Sequence, residues 1–118
     1  MQVKPLRKKK DFEAVFKYGK RIFLAHLTLV TAPNELGLAR AGVIVGTKIA
    51  KRAVVRNRLK RRVREALRTL FRDDDRLFRE RPGLDMVLLP KQSSLAAPFT
   101  VIKKEIHSCF SRSLPNHY

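Results

Sequence analysis

The sequence predicts an α+β fold, a single small αββαβα sandwich in which helices pack on one mixed sheet. Residues 41–46 are continuously apolar and residues 84–89 are apolar except for Asp85, which is typical of strands buried on both faces. Between them, apolar residues recur at spacings of three and four from Val55 to Leu70, which is typical of an amphipathic helix. With 118 residues, the chain is long enough for one domain, residues 1–118, with one modest core.

The net charge is the most unusual property of the composition. It amounts to +17 at pH 7, with 27 Lys and Arg residues against 10 Asp and Glu. Such an excess in one domain indicates a polyanionic partner, nucleic acid first and an anionic membrane surface second. The sequence has no run of eighteen apolar residues, and its start, MQVKPLRKKK, lacks the apolar segment of a secretory signal. The single cysteine, Cys109, fits a reducing cytoplasm, where we expect the protein to be located.

The N-terminal part is predicted to be a flexible basic arm over about residues 1–8, followed by a short helix. Asp11 can cap this helix, and Gly19 can end it. Phe12 and Phe16 lie one turn apart on the same helix face. They are either core residues or a partly open aromatic surface on which unpaired bases stack.

A strand and a turn are predicted next. Residues 23–32 alternate so that Phe23, Leu27 and Leu29 would share one face of a strand. Breaker residues then predict a turn over 33–40.

The apolar run 41–46 is predicted to be a central strand that leads into the basic segment. Thr47 and Lys48 follow it, and a loop of this kind before a helix N-terminus readily accepts phosphate. If 41–46 runs parallel to 84–89, the helix between them is a crossover connection, which general rules make right-handed.

The segment 48–64, KIAKRAVVRNRLKRRVR, carries nine Lys or Arg residues among seventeen and no acid. Like charges on successive turns each cost about 0.2–0.5 kcal/mol, a cost that a polyanion would relieve. Most of the basic residues fall opposite the apolar stripe, whereas Arg56 projects near its edge and should lie between helix and sheet. Asn57 is a poor helix former, which favours a polar contact. The alternative is a solvated basic face that only keeps the protein soluble.

The C-terminal part is predicted to hold a third strand at 84–89, a final amphipathic helix at 99–110 and a frayed end over about 113–118. The adjacent acids at 73–75 are predicted to form a helix end and solvated linker, with a metal site as the alternative. The sequence contains no Ser-His-Asp order, no HExxH motif and no phosphate-binding loop of the GxxxxGK type. Its visible chemistry is therefore binding.

Two motifs resemble the protein subunit of bacterial ribonuclease P. On the long helix, RNRLKRRVR at 56–64 has that family's form R-N-R-hydrophobic-K-R-x-x-R. In the first helix, DFEAVFKYG at 11–19 has its form DFxxVFxxG. The resemblance runs from about Leu6 to Arg112 and departs at Lys51, where some members have glycine.

This resemblance implies a left-handed crossover through the long helix, in place of the right-handed one that general rules favour. It implies a catalytic RNA subunit with bound Mg²⁺ that removes the 5′ leader from precursor tRNA, and a protein with no tightly bound cofactor. The expected partners are the catalytic RNA, one protein for each RNA, and the precursor tRNA, with no membrane. The residues expected to bind the catalytic RNA are Arg56, Asn57, Arg58, Lys60, Arg61 and Arg64. The residues expected to line the leader cleft are Phe12, Phe16, Lys48 and Arg52.

Two other classes of function remain open. A structural RNA-binding protein, such as a small ribosomal protein, would use the same helix but would need no leader cleft. A stand-alone nuclease is disfavoured because no active site is visible in the sequence.

Overall fold

The computed structural model describes residues 3–73 and 83–112, which form a five-stranded mixed sheet and three α-helices. The elements are β1 Val3–Pro5, α1 Lys9–Tyr18, β2 Lys20–Phe23, β3 Leu27–Pro33, β4 Ala39–Val43, α2 Ala53–Asp73, β5 Leu84–Pro90 and α3 Phe99–Arg112, with a 3-10 helix at Gln92–Leu95. The strand order in the sheet is β1-β4-β5-β3-β2. The predicted α+β class is confirmed.

The central pair, β4 and β5, runs parallel, so the connection that contains α2 is the predicted crossover. The left-handed sense of this crossover stays a prediction. β1 is parallel to β4, whereas β3 is antiparallel to both β5 and β2. Of the two antiparallel pairs, only β2 and β3 are consecutive in the chain, and a short hairpin joins them.

The sheet is covered on both sides, but unequally. One face packs against α2 and α3 and forms the main core, whose largest fully buried side chains include Phe71, Phe110 and Met86. The other face packs against α1 alone, over a smaller core that includes Val15, Val30 and Val87. Because α1 has ten residues, it cannot cover this whole face.

The N-terminus differs from the prediction. A loose arm was expected over residues 1–8, but Val3–Pro5 pairs with Ala39–Ala41 as an edge strand, and Leu6 is buried. The first helix begins at Lys9 rather than after a cap at Asp11, whose carboxylate instead pairs with Arg40. Residues 113–118, which were expected to fray, lie outside the described part of the chain.

The predicted strand over 23–32 is wrong at its start, because a tight turn divides it. The Leu24 amide donates to the Leu27 carbonyl at 2.9 Å, which closes a hairpin between β2 and β3. Within this hairpin Phe23 pairs with Thr28, so it points to the opposite side of the sheet from Leu27 and Leu29. Phe23 is 72% exposed instead of buried.

The predicted central strand and final helix are shifted at their ends. The strand expected at 41–46 is Ala39–Val43, and the helix expected at 99–110 extends to Arg112. The long helix begins at Ala53, so the first basic residues of the segment 48–64 lie in the loop that precedes it.

On the α1 side, strand register arranges the side chains in three rows across the sheet. The first joins Arg40 and Asp85, the second runs through Gly42, Val87, Val30 and Arg21, and the third contains Leu89, Thr28 and Phe23. The first row is a charged network under the start of α1. Asp85 accepts hydrogen bonds from Arg40 Nε at 2.8 Å, Arg40 Nη2 at 2.7 Å and the Asn34 amide at 2.7 Å. The hydrogen bond to Asp85 contributes most to raising the pKa of Arg40, and the charges of Asp85 and Asp11 act in the same direction.

Replacing Asp85 with Asn is expected to lower the free energy of unfolding by about 3 kcal/mol, because it leaves the largely buried Arg40 without its main charged partner. Urea denaturation of the purified protein measures this loss. The control is Asp73→Asn, whose partner Lys103 belongs to a solvent-screened pair and which should cost at most about 1 kcal/mol. Equal losses for the two variants would contradict the buried network.

Candidate nucleic-acid interface

The N-terminal half of α2 presents a cationic face to solvent. We define this α2 cationic face by the residues Asn57, Arg58, Lys60, Arg61 and Arg64. All are exposed except Lys60, which is partly exposed. Among residues 3–73 and 83–112, no carboxylate lies within ion-pair distance of these four cations. The first turn of α2 also lacks an acidic residue, so the positive end of the helix dipole adds to the same charge.

The C-terminal third of the same helix is neutralised by the protein itself. Arg68 donates two hydrogen bonds to Glu65, at 3.0 and 2.5 Å, and Arg72 donates to Asp73 at 3.0 Å. The hydrogen bond from Arg68 holds the pKa of Glu65 below its ordinary value, so Glu65 stays ionised and cancels that charge. Asp73 also accepts from Lys103, which contributes most to lowering its pKa. The uncompensated charge is therefore concentrated in the first half of α2.

Arg56 and Arg62 have internal partners and differ from the cationic face. The Nη1 group of Arg56 donates to the carbonyls of Ala50 and Lys51, at 3.0 and 2.7 Å. These hydrogen bonds hold the preceding loop against the start of α2. The Nη2 group of Arg62 donates to the Ala97 carbonyl before α3. Both side chains are partly buried. The expectation that Arg56 would lie between helix and sheet is wrong, because its guanidinium turns back toward the loop.

Replacing Arg56 with Lys is expected to loosen the loop while keeping the charge, because one ammonium group cannot reproduce the planar guanidinium fork. Amide hydrogen exchange over residues 46–52 should become about tenfold faster, the effect of losing roughly 1.4 kcal/mol of local protection. Unchanged exchange in this loop would show that the two carbonyl contacts do not hold it.

A second surface lies on the α1 side of the sheet, at the third row, whose two ends are exposed although Thr28 between them is buried. We call Ile44, Leu89, Thr28 and Phe23 the open row. Leu89 pairs with Thr28 and Thr28 with Phe23, while the Ile44 amide extends the ladder by donating to Leu88 at 3.0 Å. Phe23 is 72% and Ile44 is 38% exposed, so both ends of the row present apolar surface to solvent.

Helix α1 forms one wall beside this row. Phe12 and Phe16 are half-buried on the smaller core, with part of each ring accessible. Arg21 lies with its guanidinium carbon 5.4 Å from the Phe16 ring centre, a cation–π distance. Phe12 lies against Gly42, where an added β-carbon would be 2.4 Å from the ring, so glycine is what permits this approach.

Lys48 and Arg52 lie in the loop that leaves β4 beside the open row. Both are exposed, and neither has a carboxylate partner within the described ranges. The loop emerges where the strand ladder ends at Ile44, and it leads directly into α2. It therefore connects the apolar end of the open row with the α2 cationic face.

Comparison with known proteins identifies the family of this chain. The model of the family described as "Ribonuclease P" matches residues 2–113. The chain belongs to the ribonuclease P protein family.

Relatives and a solved structure agree with this assignment. A ribonuclease P protein component of Clostridioides difficile is 33% identical over 112 residues, which cover 95% of this chain and 93% of that protein. One from Microcystis aeruginosa is 42% identical over 74 residues, which cover 59% of this chain and 62% of that protein. The ribonuclease P protein from Thermotoga maritima superposes with a TM-score of 0.75 at 26% identity, covering 92% of this chain and 96% of that one.

The family's two sequence motifs lie on different sides of the sheet. The 56–64 motif is on α2, over the main core, whereas the 11–19 motif is on α1, over the smaller core. The residues expected at the leader cleft are also divided, because the two aromatic residues lie on α1 and Lys48 and Arg52 lie on the β4–α2 loop.

Sequence reasoning missed Phe23 and Ile44 as site candidates. The exposure of Phe23 on the α1 side follows from the hairpin at residues 24–27, which contains none of the glycine or asparagine signals that usually mark such turns. Had the turn been recognised, register alone would have placed Phe23 opposite Thr28.

Two further structural findings concern metals and membranes. Within residues 3–73 and 83–112, no three His, Cys, Asp or Glu side chains cluster closely enough to hold a metal ion. Of the acids at 73–75, Asp73 ends α2, and the other two lie outside the described residues. No helix in the described part of the chain has the length and apolar character needed to cross a membrane.

Proposed function

We propose that this chain is the protein subunit of a ribonuclease P ribonucleoprotein, in which it binds both the catalytic RNA and the 5′ leader of precursor tRNA. The observation that carries the proposal is the pair of separate surfaces. One is a cationic helix face whose four cations have no carboxylate partner within residues 3–73 and 83–112, and the other is a partly exposed aromatic surface on the α1 side of the sheet. The names of the relatives and the matching family model support the same assignment.

The α2 cationic face is suited to folded RNA. Double-stranded RNA is recognised mainly by its shape, its phosphates and its 2′-hydroxyl groups, and a straight helix with fixed charges matches these features. Arg58, Arg61 and Arg64 are spaced three residues apart, so their guanidinium groups follow one side of the helix. Binding would release counterions from the RNA and relieve the repulsion among these like charges.

The surface at the open row is suited to a single strand of varied sequence. It presents the exposed Phe23 and the partly buried Phe16 and Leu89, while Arg21 supplies positive charge beside the Phe16 ring. Every base has a π-face, so aromatic contacts hold unpaired nucleotides without demanding one sequence, and cations follow the phosphates. A leader held here would favour precursor over mature tRNA, because the mature product lacks that strand.

In this proposal, hydrolysis takes place on the catalytic RNA, where Mg²⁺ supplies electrostatic stabilisation of the transition state. The residues of this chain bind and orient the substrate. By neutralising phosphates along α2 and on the α1 side of the sheet, they reduce the concentration of cations that the assembly needs.

The test is cleavage of a precursor tRNA at low Mg²⁺ by the catalytic RNA alone, by the protein alone and by both together. Cleavage only with both components is the expected result. No gain on adding the protein would favour a structural RNA-binding protein, and cleavage by the protein alone would favour a nuclease. Either outcome contradicts the proposal.

A further inference from the structure

A cavity of about 390 Å³ lies between the two candidate surfaces, at the sheet edge beyond β1. β1 follows β4 only as far as Ala41, and the Leu6 amide then donates to the Ala41 carbonyl at 2.9 Å before the chain turns into α1. The next residues of β4, Gly42 and Val43, form the floor of this cavity. The remaining lining residues are Pro5, Leu6, Arg7, Phe12, Ala41 and Arg64.

The cavity has two cationic walls from different elements. Arg7 comes from the segment before α1, and Arg64 comes from α2 on the other side of the sheet edge. In residues 3–73 and 83–112, neither has a carboxylate within ion-pair distance. Of the two acids that flank Phe12, Asp11 is held by Arg40 at 3.3 Å, and Glu13 has its carboxylate 3.9 Å from the Lys9 ammonium group. The positive charge at this cavity is therefore left uncompensated.

The rest of the lining is apolar and includes an aromatic ring. Phe12 reaches into the cavity over Gly42, and Pro5 and Leu6 form the opposite apolar wall. Arginine recognises phosphate through its planar fork, and an aromatic ring beside it accommodates a base. This combination fits a nucleotide better than an isolated anion, which would leave the apolar walls without a partner.

We infer that this cavity binds one unpaired nucleotide of an RNA strand, with its phosphate between Arg7 and Arg64 and its base against Phe12. The inference deepens the proposed function and rests on it only in taking RNA as the ligand. Phe16 lies one turn along α1 from Phe12, and Arg61 lies one turn along α2 from Arg64, so the cavity adjoins residues of both surfaces. A strand that follows the surface along α1 would thus be bound at the point where it meets the α2 cationic face.

The experiment measures binding of a fluorescent ten-nucleotide uridine RNA to the purified protein at 100 mM salt by anisotropy. Arg7→Ala and Arg64→Ala are expected to weaken binding about tenfold each, the effect of losing one charge-assisted contact. Since both arginines would hold the same phosphate, the double variant should lose clearly less than the hundredfold product. The control is Arg68→Ala, one turn further along α2, whose charge is already cancelled by Glu65 and which should change binding less than twofold.

Three results would overturn the inference. One is a loss of affinity for Arg64→Ala that is no larger than the loss for Arg68→Ala. Another is a loss of affinity for the Arg7 and Arg64 double variant that equals the product of the two single losses. The third is equally tight binding of a ten-residue aspartate peptide with the same dependence on Arg7 and Arg64, since carboxylates alone would then satisfy the cavity. If the binding experiment fails but the protein still stimulates precursor cleavage by the catalytic RNA, only the nucleotide site is contradicted. If the wild-type protein does not stimulate cleavage, the proposed function itself is contradicted.

Discussion

Replacing Arg58 and Arg61 together with alanine is expected to weaken binding of the catalytic RNA by about a hundredfold. Each guanidinium group is exposed and has no internal carboxylate in the described ranges, so each is available for a phosphate. A hydrogen bond to a charged group contributes about 1.5–3 kcal/mol, and 1.4 kcal/mol corresponds to a factor of ten in affinity. A titration of labelled catalytic RNA with each protein measures the loss.

The matched control is Arg68→Ala with Arg72→Ala, which removes the same charge from the same helix. Both double variants lower the formal net charge from +17 to +15, since 17 − 2 = 15. Because Arg68 and Arg72 are paired with Glu65 and Asp73, their loss should weaken binding less than about threefold. If the two double variants weakened binding equally, net charge rather than the α2 cationic face would explain the affinity.

Replacing Phe16 with alanine is expected to weaken binding of leader-bearing precursor tRNA about ten- to hundredfold and to leave mature tRNA unaffected. The reason is that stacking of one base on an aromatic ring contributes about 1–3 kcal/mol, and only the precursor carries the single strand. The measurement compares the affinity of the assembled ribonucleoprotein for the two RNAs.

Phe16 also packs on the smaller core, so a second variant separates stacking from folding. Phe16→Leu keeps an apolar side chain of similar size, and its cost to stability should be about 1 kcal/mol. It should nevertheless lose most of the preference for precursor, because leucine has no π-face. Equal weakening for precursor and mature tRNA in both variants would make Phe16 a core residue only.

The helices and the central strands were predictable because their patterns are local. The apolar stripe from Val55 to Leu70 and the mainly apolar segments at 41–46 and 84–89 could be recognised from periodicity and length alone. The edge strand Val3–Pro5 was not predictable in this way. It has only three residues, one of them proline. It forms because it pairs with the edge of β4, which is 36 residues away in the sequence, as in the pair Val3 and Ala39.

Charge pairing was the part of the site that sequence could not resolve. Arg64 and Arg68 look alike on a helical projection, yet Glu65 neutralises only Arg68. Arg56 stands in the same motif as Arg58 but donates to backbone carbonyls of the loop. These differences depend on rotamers and on how the chain enters the helix, whereas composition and spacing report only that the residues are basic.

The central claim is that uncompensated charge on the first half of α2 neutralises RNA phosphates, and the salt dependence of catalytic RNA binding tests it most directly. With about six phosphates neutralised, the slope of log K against log salt should be roughly −4 to −5 for the wild-type protein. The Arg58 and Arg61 double variant should reduce its magnitude by about 1.5, while the Arg68 and Arg72 double variant should leave it unchanged. A flat salt dependence, or the same reduction for both variants, would contradict the claim.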